Sequence, residues 1–185
     1  VTGVQTCALP ISFITKLDTE GNQQWLNRFS NYNTGSNFNS QQINIANISI
    51  TKDNLSILSC GGWINQIQAF PPNSTGASCR ITNYDGSYNG FLASCNALDG
   101  TWNYLLPIEG SGDDYVNRIQ YVSANNTIGL VGYTTSANLI IYNKQNAGTL
   151  TNPTIPQLNV IGSTNNTNSF VSLFSTAGVL SWNSA

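Results

Sequence analysis

Hydrophobic and polar residues alternate in several short segments of this chain, which is the pattern of β-strands that bury one face. In the segment FITKLDTEGNQQW, residues Phe13, Thr15 and Leu17 share one face of a predicted strand. The pattern returns at Phe91, in the segment FLASCNALDGTW, and at Phe170, in the segment FVSLFSTAGVLSW. Each segment continues through a turn into a second strand that contains Trp, so the segments predict three β-hairpins.

The three hairpins recur at a nearly constant spacing, since Phe13 and Phe91 are 78 positions apart and Phe91 and Phe170 are 79. Recurrence at a fixed spacing is typical of repeat proteins. A glycine in each turn supplies the positive φ that a hairpin needs, at Gly21, Gly100 and Gly178. The first and third residues of the shared face are apolar in every copy, so we expect this face to be buried.

A second predicted hairpin follows in each of the first two repeats. It comprises INIANISITKDNLSILSCGGW at residues 43–63 and VNRIQYVSANNTIGLVGYT at residues 116–134, with turns at Asp53-Asn54 and Asn125-Asn126. We expect almost no helix, and strands at residues 13–17, 23–29, 43–50, 55–60, 91–95, 102–107, 116–122, 128–133 and 170–174.

Four short strands per repeat, in meander order, predict an all-β fold: a partial β-propeller of about two four-stranded blades plus part of a third. The first repeat then covers residues 12–89, the second covers residues 90–168, and the truncated start of a third covers residues 169–185. So few blades leave the outer faces of the terminal units, at Phe13 and Trp182, without neighbours. We therefore expect the chain to self-associate.

The second repeat carries the motifs GSGDDY and VGYT, and its sequence GFLASCNALDGTWNYLLPIEGSGDDYVNRIQYVSANNTIGLVGYTTSA closely resembles the SBBP repeat of bacterial seven-bladed β-propellers. The first repeat matches in both hairpins but has NYNTGSNFNSQQ in place of the acidic turn at residues 110–114. Residues 64–89 and 135–169 are unmatched, and we expect extra hairpins or loops there, along one rim. The segment LDTEGNQQW also resembles the Trp-docking repeat of quinoprotein-like propellers. We favour the first family for its two motifs, and both resemblances imply a propeller.

Aromatic residues recur at fixed positions of the first hairpins, which is more typical of packing between blades than of sugar-stacking platforms. The spacing from the turn glycine to Trp is the same in the first and third copies but shorter in the second. We predict inter-blade packing for Phe13, Trp25, Phe91, Trp102, Phe170 and Trp182.

Residues 1–11, VTGVQTCALPI, lie outside the repeats and lack the basic start and long apolar run of a secretory signal. Their back-translation matches a sequencing-library adapter primer read in frame. We interpret them as a non-biological scar on a fragment of metagenomic origin, and we expect them to pack poorly against the remaining chain.

The composition of the chain excludes several classes of function. Charged residues make up 8% of the chain and the net charge is −2, which leaves no basic surface for nucleic acid. No apolar run is long enough for membrane insertion. The sequence contains no His and no Met, so we predict no catalytic residues and no cofactor. Asp113 and Asp114 are the candidate calcium ligands, although a tight turn explains this Gly-rich segment better.

Three cysteines lie within the repeats, at Cys60, Cys79 and Cys95, and the sequence leaves their pairing open. Cys95 occupies an apolar strand position, which favours a small buried side chain over a disulfide. N-glycosylation sequons, relevant if the source is eukaryotic, occur at Asn47, Asn54, Asn73, Asn125 and Asn165.

Two classes of function remain open. The first is a non-catalytic β-propeller region of a secreted or cell-surface protein, for adhesion, ligand binding or scaffolding, with an unknown protein or glycan as its ligand. The alternative is the propeller of a secreted enzyme, quinoprotein-like or carbohydrate-active, whose catalytic residues lie outside this chain. Low charge, an uncharged polar surface and the resemblance to surface-displayed repeats favour an extracellular or cell-surface location.

Overall fold

The computed structural model describes residues 12–30, 43–52, 55–64, 66–70, 79–82, 87–142, 157–159 and 167–184 of the chain. Within these ranges every regular element is a β-strand, and no helix occurs. The predicted all-β fold is therefore confirmed. The expectations for residues 1–11, and those for Asn54, Asn73 and Asn165, lie outside the described residues.

Fourteen strands occur in the described part of the chain. They are β1 (Ser12–Leu17), β2 (Gln23–Ser30), β3 (Ile43–Ile50), β4 (Ser56–Ile64), β5 (Gln66–Phe70), β6 (Cys79–Thr82), β7 (Tyr88–Asn96), β8 (Trp102–Gly110), β9 (Asp114–Val122), β10 (Thr127–Thr134), β11 (Asn138–Ile141), β12 (Gln157–Asn159), β13 (Asn168–Ser175) and β14 (Leu180–Ser184). All nine predicted strands are present, and their ends differ from the predicted ends by at most four residues. β14 completes the third predicted hairpin.

The strands form three open, antiparallel sheets. The N-terminal sheet has the order β1-β2-β5-β6, the central sheet β12-β11-β8-β7-β4-β3, and the C-terminal sheet β14-β13-β10-β9. The first repeat is divided between two sheets, because its β3–β4 hairpin pairs with β7 of the second repeat. A sheet thus combines the second hairpin of one repeat with the first hairpin of the next, whereas we expected the four strands of one repeat to stay together.

The two segments that match no repeat contribute one extra hairpin each. The hairpin β5–β6 extends the N-terminal sheet beyond β2, and the hairpin β11–β12 extends the central sheet beyond β8. β2 and β8 are the second strands of equivalent hairpins. The extra hairpins therefore occupy corresponding edges of successive sheets.

The central sheet lies between the other two sheets, and its middle strands β7 and β8 are buried on both faces. On β7, Phe91 packs toward the N-terminal sheet and Leu92 toward the C-terminal sheet, and both are fully buried. The first apolar cluster, between the N-terminal and central sheets, contains Ile14, Trp25, Phe29, Ile43, Ile57, Trp63, Phe91, Ala93, Cys95, Ala97 and Leu105. The second cluster, between the central and C-terminal sheets, contains Leu58, Cys60, Leu92, Tyr104, Leu106, Ile108, Val116, Ile119, Ile128, Leu130, Leu139, Ile141, Phe170 and Phe174.

The hairpin turns have the backbone geometry predicted for them. Gly21, Gly100 and Gly178 have φ values of 87°, 77° and 80°, a region that residues with a side chain rarely adopt. Asn126, at a turn predicted from its Asn-Asn pair, has a φ of 53°, which asparagine tolerates better than most residues. The local sequence thus fixes where each hairpin reverses direction.

Candidate functional site

A cluster of polar side chains lies where the central sheet passes into the C-terminal sheet. Residues 110–114, the GSGDD segment, lead from the end of β8 to the start of β9, and residues 134–136 lead out of β10. The two segments lie side by side, since Thr135 N donates to Asp113 O at 2.8 Å. We refer to residues 110–114 and 134–136 together as the acidic corner.

Asp114 is fully buried at the centre of the acidic corner. Its carboxylate accepts hydrogen bonds from Thr134 Oγ1 and from Ser136 Oγ, the latter at 2.9 Å and 3.0 Å. Burial raises the pKa of Asp114 to about 7, against the opposing effect of the two hydroxyl donors. The negative charges of Asp113 and Glu109 raise this pKa further. Asp114 therefore changes protonation state near neutral pH.

Asp113 joins the acidic corner to the central sheet. Its Oδ1 accepts a hydrogen bond from Tyr88 N at 2.8 Å, and its own backbone N donates to Thr135 Oγ1 at 2.8 Å. Both candidate calcium ligands thus accept hydrogen bonds from protein donors, and the described residues contain no group of three or more potential metal ligands. The segment that we expected to form a tight turn is a three-residue connection, bent at residues 111 and 112, between strands of two different sheets.

Two glycines let the segments of the acidic corner approach closely. A Cβ atom on Gly112 would lie 2.6 Å from Thr135 Oγ1, and one on Gly110 would overlap Ser136. Gly112 N also donates to Ser136 Oγ at 2.9 Å, which holds that hydroxyl toward Asp114. The GSGDD sequence is therefore explained by close packing around a buried carboxyl group.

Three tyrosines stack beside the acidic corner, across the junction of the two sheets. The ring centroids of Tyr88 and Tyr115 are 4.4 Å apart, and those of Tyr115 and Tyr133 are 4.5 Å apart. Burial raises the pKa of Tyr88 to about 12, and its two neighbours contribute to the rise. Sequence reasoning missed this stack. The motifs DDY and GYT contain two of its members, and these are cross-strand partners in β9 and β10.

The predicted packing tryptophans occupy two different structural positions. Trp25 and Trp182 lie at equivalent points of their hairpins, four residues after the turn glycine. In the second copy this point is occupied by Tyr104. Trp102 lies two residues earlier and faces the N-terminal sheet, where its ring centroid is 4.9 Å from that of Phe29. The prediction of one shared position is therefore wrong for Trp102, because it follows its turn glycine by two residues and not by four.

The burial of the other predicted packing residues depends on the sheet that carries them. Trp25 and Phe91 are buried in the first apolar cluster, and Phe170 is buried in the second. Phe13 and Trp182 are exposed, because they lie on the two outer faces of the stack. No described sheet covers the strand face that begins at Phe13, so this face is exposed here, as expected for a terminal unit, although its equivalents in the later copies are buried.

Cys60 and Cys95 are buried free thiols, so the predicted burial of Cys95 is confirmed. Burial raises the pKa of each thiol to about 12. Because the thiolate is the reactive form, neither group is suited to nucleophilic chemistry in the folded protein. The expectation for the side chain of Cys79 lies outside the described residues.

The two described sequons differ in accessibility. Asn47 lies on β3, and its Oδ1 accepts a hydrogen bond from Ile119 N of the C-terminal sheet at 3.3 Å. Asn125 lies in the exposed turn between β9 and β10, where its Oδ1 accepts from Thr127 Oγ1 at 2.8 Å. Only the second of these two asparagines can carry a glycan without a change in the packing of the sheets.

Comparison with known proteins provides no relative, since no family model matches the chain and no curated protein matches it significantly. The described residues include no helix of the length and apolarity that a membrane crossing requires. The resemblance to the SBBP repeat therefore rests on the sequence motifs alone.

Proposed function

We propose that this chain is a non-catalytic region of a β-propeller in a secreted or cell-surface protein, where it serves adhesion, ligand binding or scaffolding. The observation that carries the proposal is the face-to-face stacking of three antiparallel sheets, with the middle strands of the central sheet buried on both faces. Blades of a propeller pack against their neighbours in this way around a common axis.

The contact between β3 and β9, which are edge strands of neighbouring sheets, supports this arrangement. Asn47 and Ser49 project from β3, at the edge of the central sheet, toward β9, at the edge of the C-terminal sheet. Asn47 Oδ1 accepts from Ile119 N at 3.3 Å, and Ser49 Oγ accepts from Tyr121 N at 3.1 Å. Innermost strands of adjacent blades would meet in this manner, and the side-chain acceptors shield an otherwise open strand edge.

A binding or scaffolding role fits the chemistry of the described residues. The polar groups of the acidic corner bind one another and join two sheets. The buried thiols of Cys60 and Cys95 have raised pKa values and are withdrawn from solvent. The extra hairpins β5–β6 and β11–β12 extend corresponding edges of successive sheets. Segments added to the edge of a scaffold of packed sheets commonly carry binding surfaces.

The proposal is tested on the gene product that contains this chain. Electron microscopy of the purified product should show ring-shaped particles, and elongated particles without a ring would refute the propeller. An antibody against the chain should label intact cells as strongly as permeabilised cells. Labelling that requires permeabilisation would refute the location. An array of glycans and matrix proteins should reveal a saturable ligand that a heat-unfolded sample does not bind, and a blank array would restrict the role to scaffolding.

A further inference from the structure

The stack of three sheets ends in two outer faces that carry exposed apolar side chains. On the outer face of the N-terminal sheet, Phe13 and Leu17 are 58% and 53% exposed. On the outer face of the C-terminal sheet, Val131, Val171 and Trp182 are 39%, 40% and 51% exposed. Single apolar residues are ordinary on protein surfaces, whereas several on one sheet face indicate a contact surface.

The outer face of the N-terminal sheet is equivalent to faces that are buried elsewhere in the chain. Each first hairpin has a β-bulge at the same point, so its strands can be compared residue by residue. Phe13 corresponds to Phe91 and Phe170, and Leu17 corresponds to Cys95 and Phe174. These later residues are all buried against the preceding sheet. The N-terminal sheet therefore presents the same positions with no described sheet before it.

The outer face of the C-terminal sheet is equivalent to the face of the central sheet that contacts its following neighbour. By the same register, Val131 corresponds to Cys60, Val171 to Leu92 and Trp182 to Tyr104. Cys60, Leu92 and Tyr104 are all buried in the second apolar cluster. The C-terminal sheet therefore directs outward the positions with which the central sheet binds the next sheet.

One hydrogen bond recurs at both internal interfaces. Trp25 Nε1 donates to Ala97 O at 3.3 Å, and Tyr104 Oη donates to Thr176 O at 3.5 Å. The two donors occupy equivalent positions, and each acceptor lies in the turn, two residues after the equivalent strand residue. Equivalent residues therefore make both the polar and the apolar contacts at the two interfaces.

We propose that the outer face of the C-terminal sheet binds the outer face of the N-terminal sheet of a second copy of this chain. In this contact Trp182 packs beside Phe13 and Leu17 of the next copy, and its Nε1 donates to the carbonyl of Thr19, which is equivalent to Ala97. A second copy is the expected occupant because it continues an interface that the chain already makes twice. The contact joins two different surfaces, so copies add in one direction and form rings or filaments.

The proposal requires the sheet-to-sheet contact alone and would hold equally for an intracellular protein. Its failure is therefore distinguishable from failure of the proposed location. Its test is sedimentation velocity of the full chain over a range of micromolar concentrations. The average mass of the wild-type chain should rise with concentration to at least twice that of the monomer.

Variants on the two outer faces separate directed stacking from general stickiness. Phe13→Ser and Trp182→Ser should each stay monomeric when studied alone, because each substitution removes one of the two faces that every contact needs. An equimolar mixture should form heterodimers, since each variant keeps the face that the other has lost. The matched control is Leu55→Ser, which removes an exposed apolar side chain from the β3–β4 turn, away from both faces. It should assemble like the wild-type chain.

Three outcomes would overturn the proposal: a wild-type chain that stays monomeric at every concentration, a mixture of the two folded variants that stays monomeric, or equal loss of assembly in Leu55→Ser. Thermal unfolding shows that each variant is folded before it is compared. Val171→Asp, which places a charge on the same outer face as Trp182, is the second variant if Trp182→Ser does not fold. It should weaken assembly at least tenfold, and full assembly of this variant would also refute the contact.

Discussion

The buried carboxyl group of Asp114 is expected to make the folded protein less stable as the pH rises from about 4 to about 7. Its pKa is raised to about 7 by burial in the acidic corner, against an ordinary value of 3.8. Between these two pH values the folded chain binds one more proton than the unfolded chain. The contribution of Asp114 to the free energy of unfolding is therefore fully present below pH 3.8 and is lost as the pH rises through 7.

The size of the effect follows from the difference between the two pKa values. Each pH unit within the window changes the free energy of unfolding by about 1.4 kcal/mol, so the whole difference corresponds to about 4 kcal/mol. The chain contains no histidine, and hydrogen bonds lower the pKa values of Asp18 and Asp99, which therefore titrate below the window.

Urea unfolding, followed by tryptophan fluorescence, measures this dependence. The range from pH 5.5 to 8 stays above the isoelectric point of about 4.7, where the chain is least soluble. At one low protein concentration, the wild-type chain should lose about 2 kcal/mol between pH 5.5 and 7. Asp114→Asn removes the titrating group, so its free energy of unfolding should be nearly constant over this range.

Asp113→Asn is the matched control, because the amide oxygen can still accept the hydrogen bond from Tyr88 N. This variant should keep most of the slope of the wild-type chain. A wild-type free energy that is constant or rises from pH 5.5 to 7 would refute the reasoning. The same slope in Asp114→Asn as in the wild-type chain would assign the pH dependence to another group.

Three further predictions concern packing. Gly112→Ala should lower the free energy of unfolding by about 1 to 3 kcal/mol, since the added methyl group would overlap Thr135 after β10. An unchanged free energy of unfolding in urea would argue against this close approach. Trp25→Phe should cost about 1 kcal/mol through the lost hydrogen bond. Trp102→Phe should cost less, because its Nε1 has no partner among the described residues, and the reverse order in thermal unfolding would contradict this assignment. Cys60 and Cys95 should react with a thiol reagent only when the protein unfolds, and mass-spectrometric mapping of adducts on either residue in the folded state would count against their burial.

The hairpins of this protein were predictable from the sequence, because each depends on neighbouring residues. Alternation of apolar and polar residues identified all nine strands that we predicted, and Gly21, Gly100 and Gly178 marked three turns by their need for positive φ. The burial of Cys95 also followed from the repeat pattern, since the equivalent residues Leu17 and Phe174 are apolar. These features require no knowledge of the partner strands.

The pairing of hairpins into sheets was decided by the tertiary structure. The β3–β4 hairpin joins β7 and not β2, a choice between edges that have similar local sequence patterns. It leaves the middle strands β7 and β8 of the central sheet buried on both faces. This pairing determines which of two equivalent side chains is buried. Phe13 and Phe91 occupy the same strand position, yet only Phe91 has a described sheet packed against it.

Strand register at the level of single residues, and contacts between distant segments, also could not be predicted from the pattern of apolar and polar residues. Tyr104, and not Trp102, lies at the position of Trp25, because Trp102 follows its turn glycine by two residues and not by four. In the acidic corner, the segment that contains Asp114 is separated by about twenty residues from the hydroxyl groups that bind it. The sequence alone determined the strands and their turns, whereas tertiary structure decided which faces are covered and which carboxyl group is buried, because burial depends on what packs against a residue.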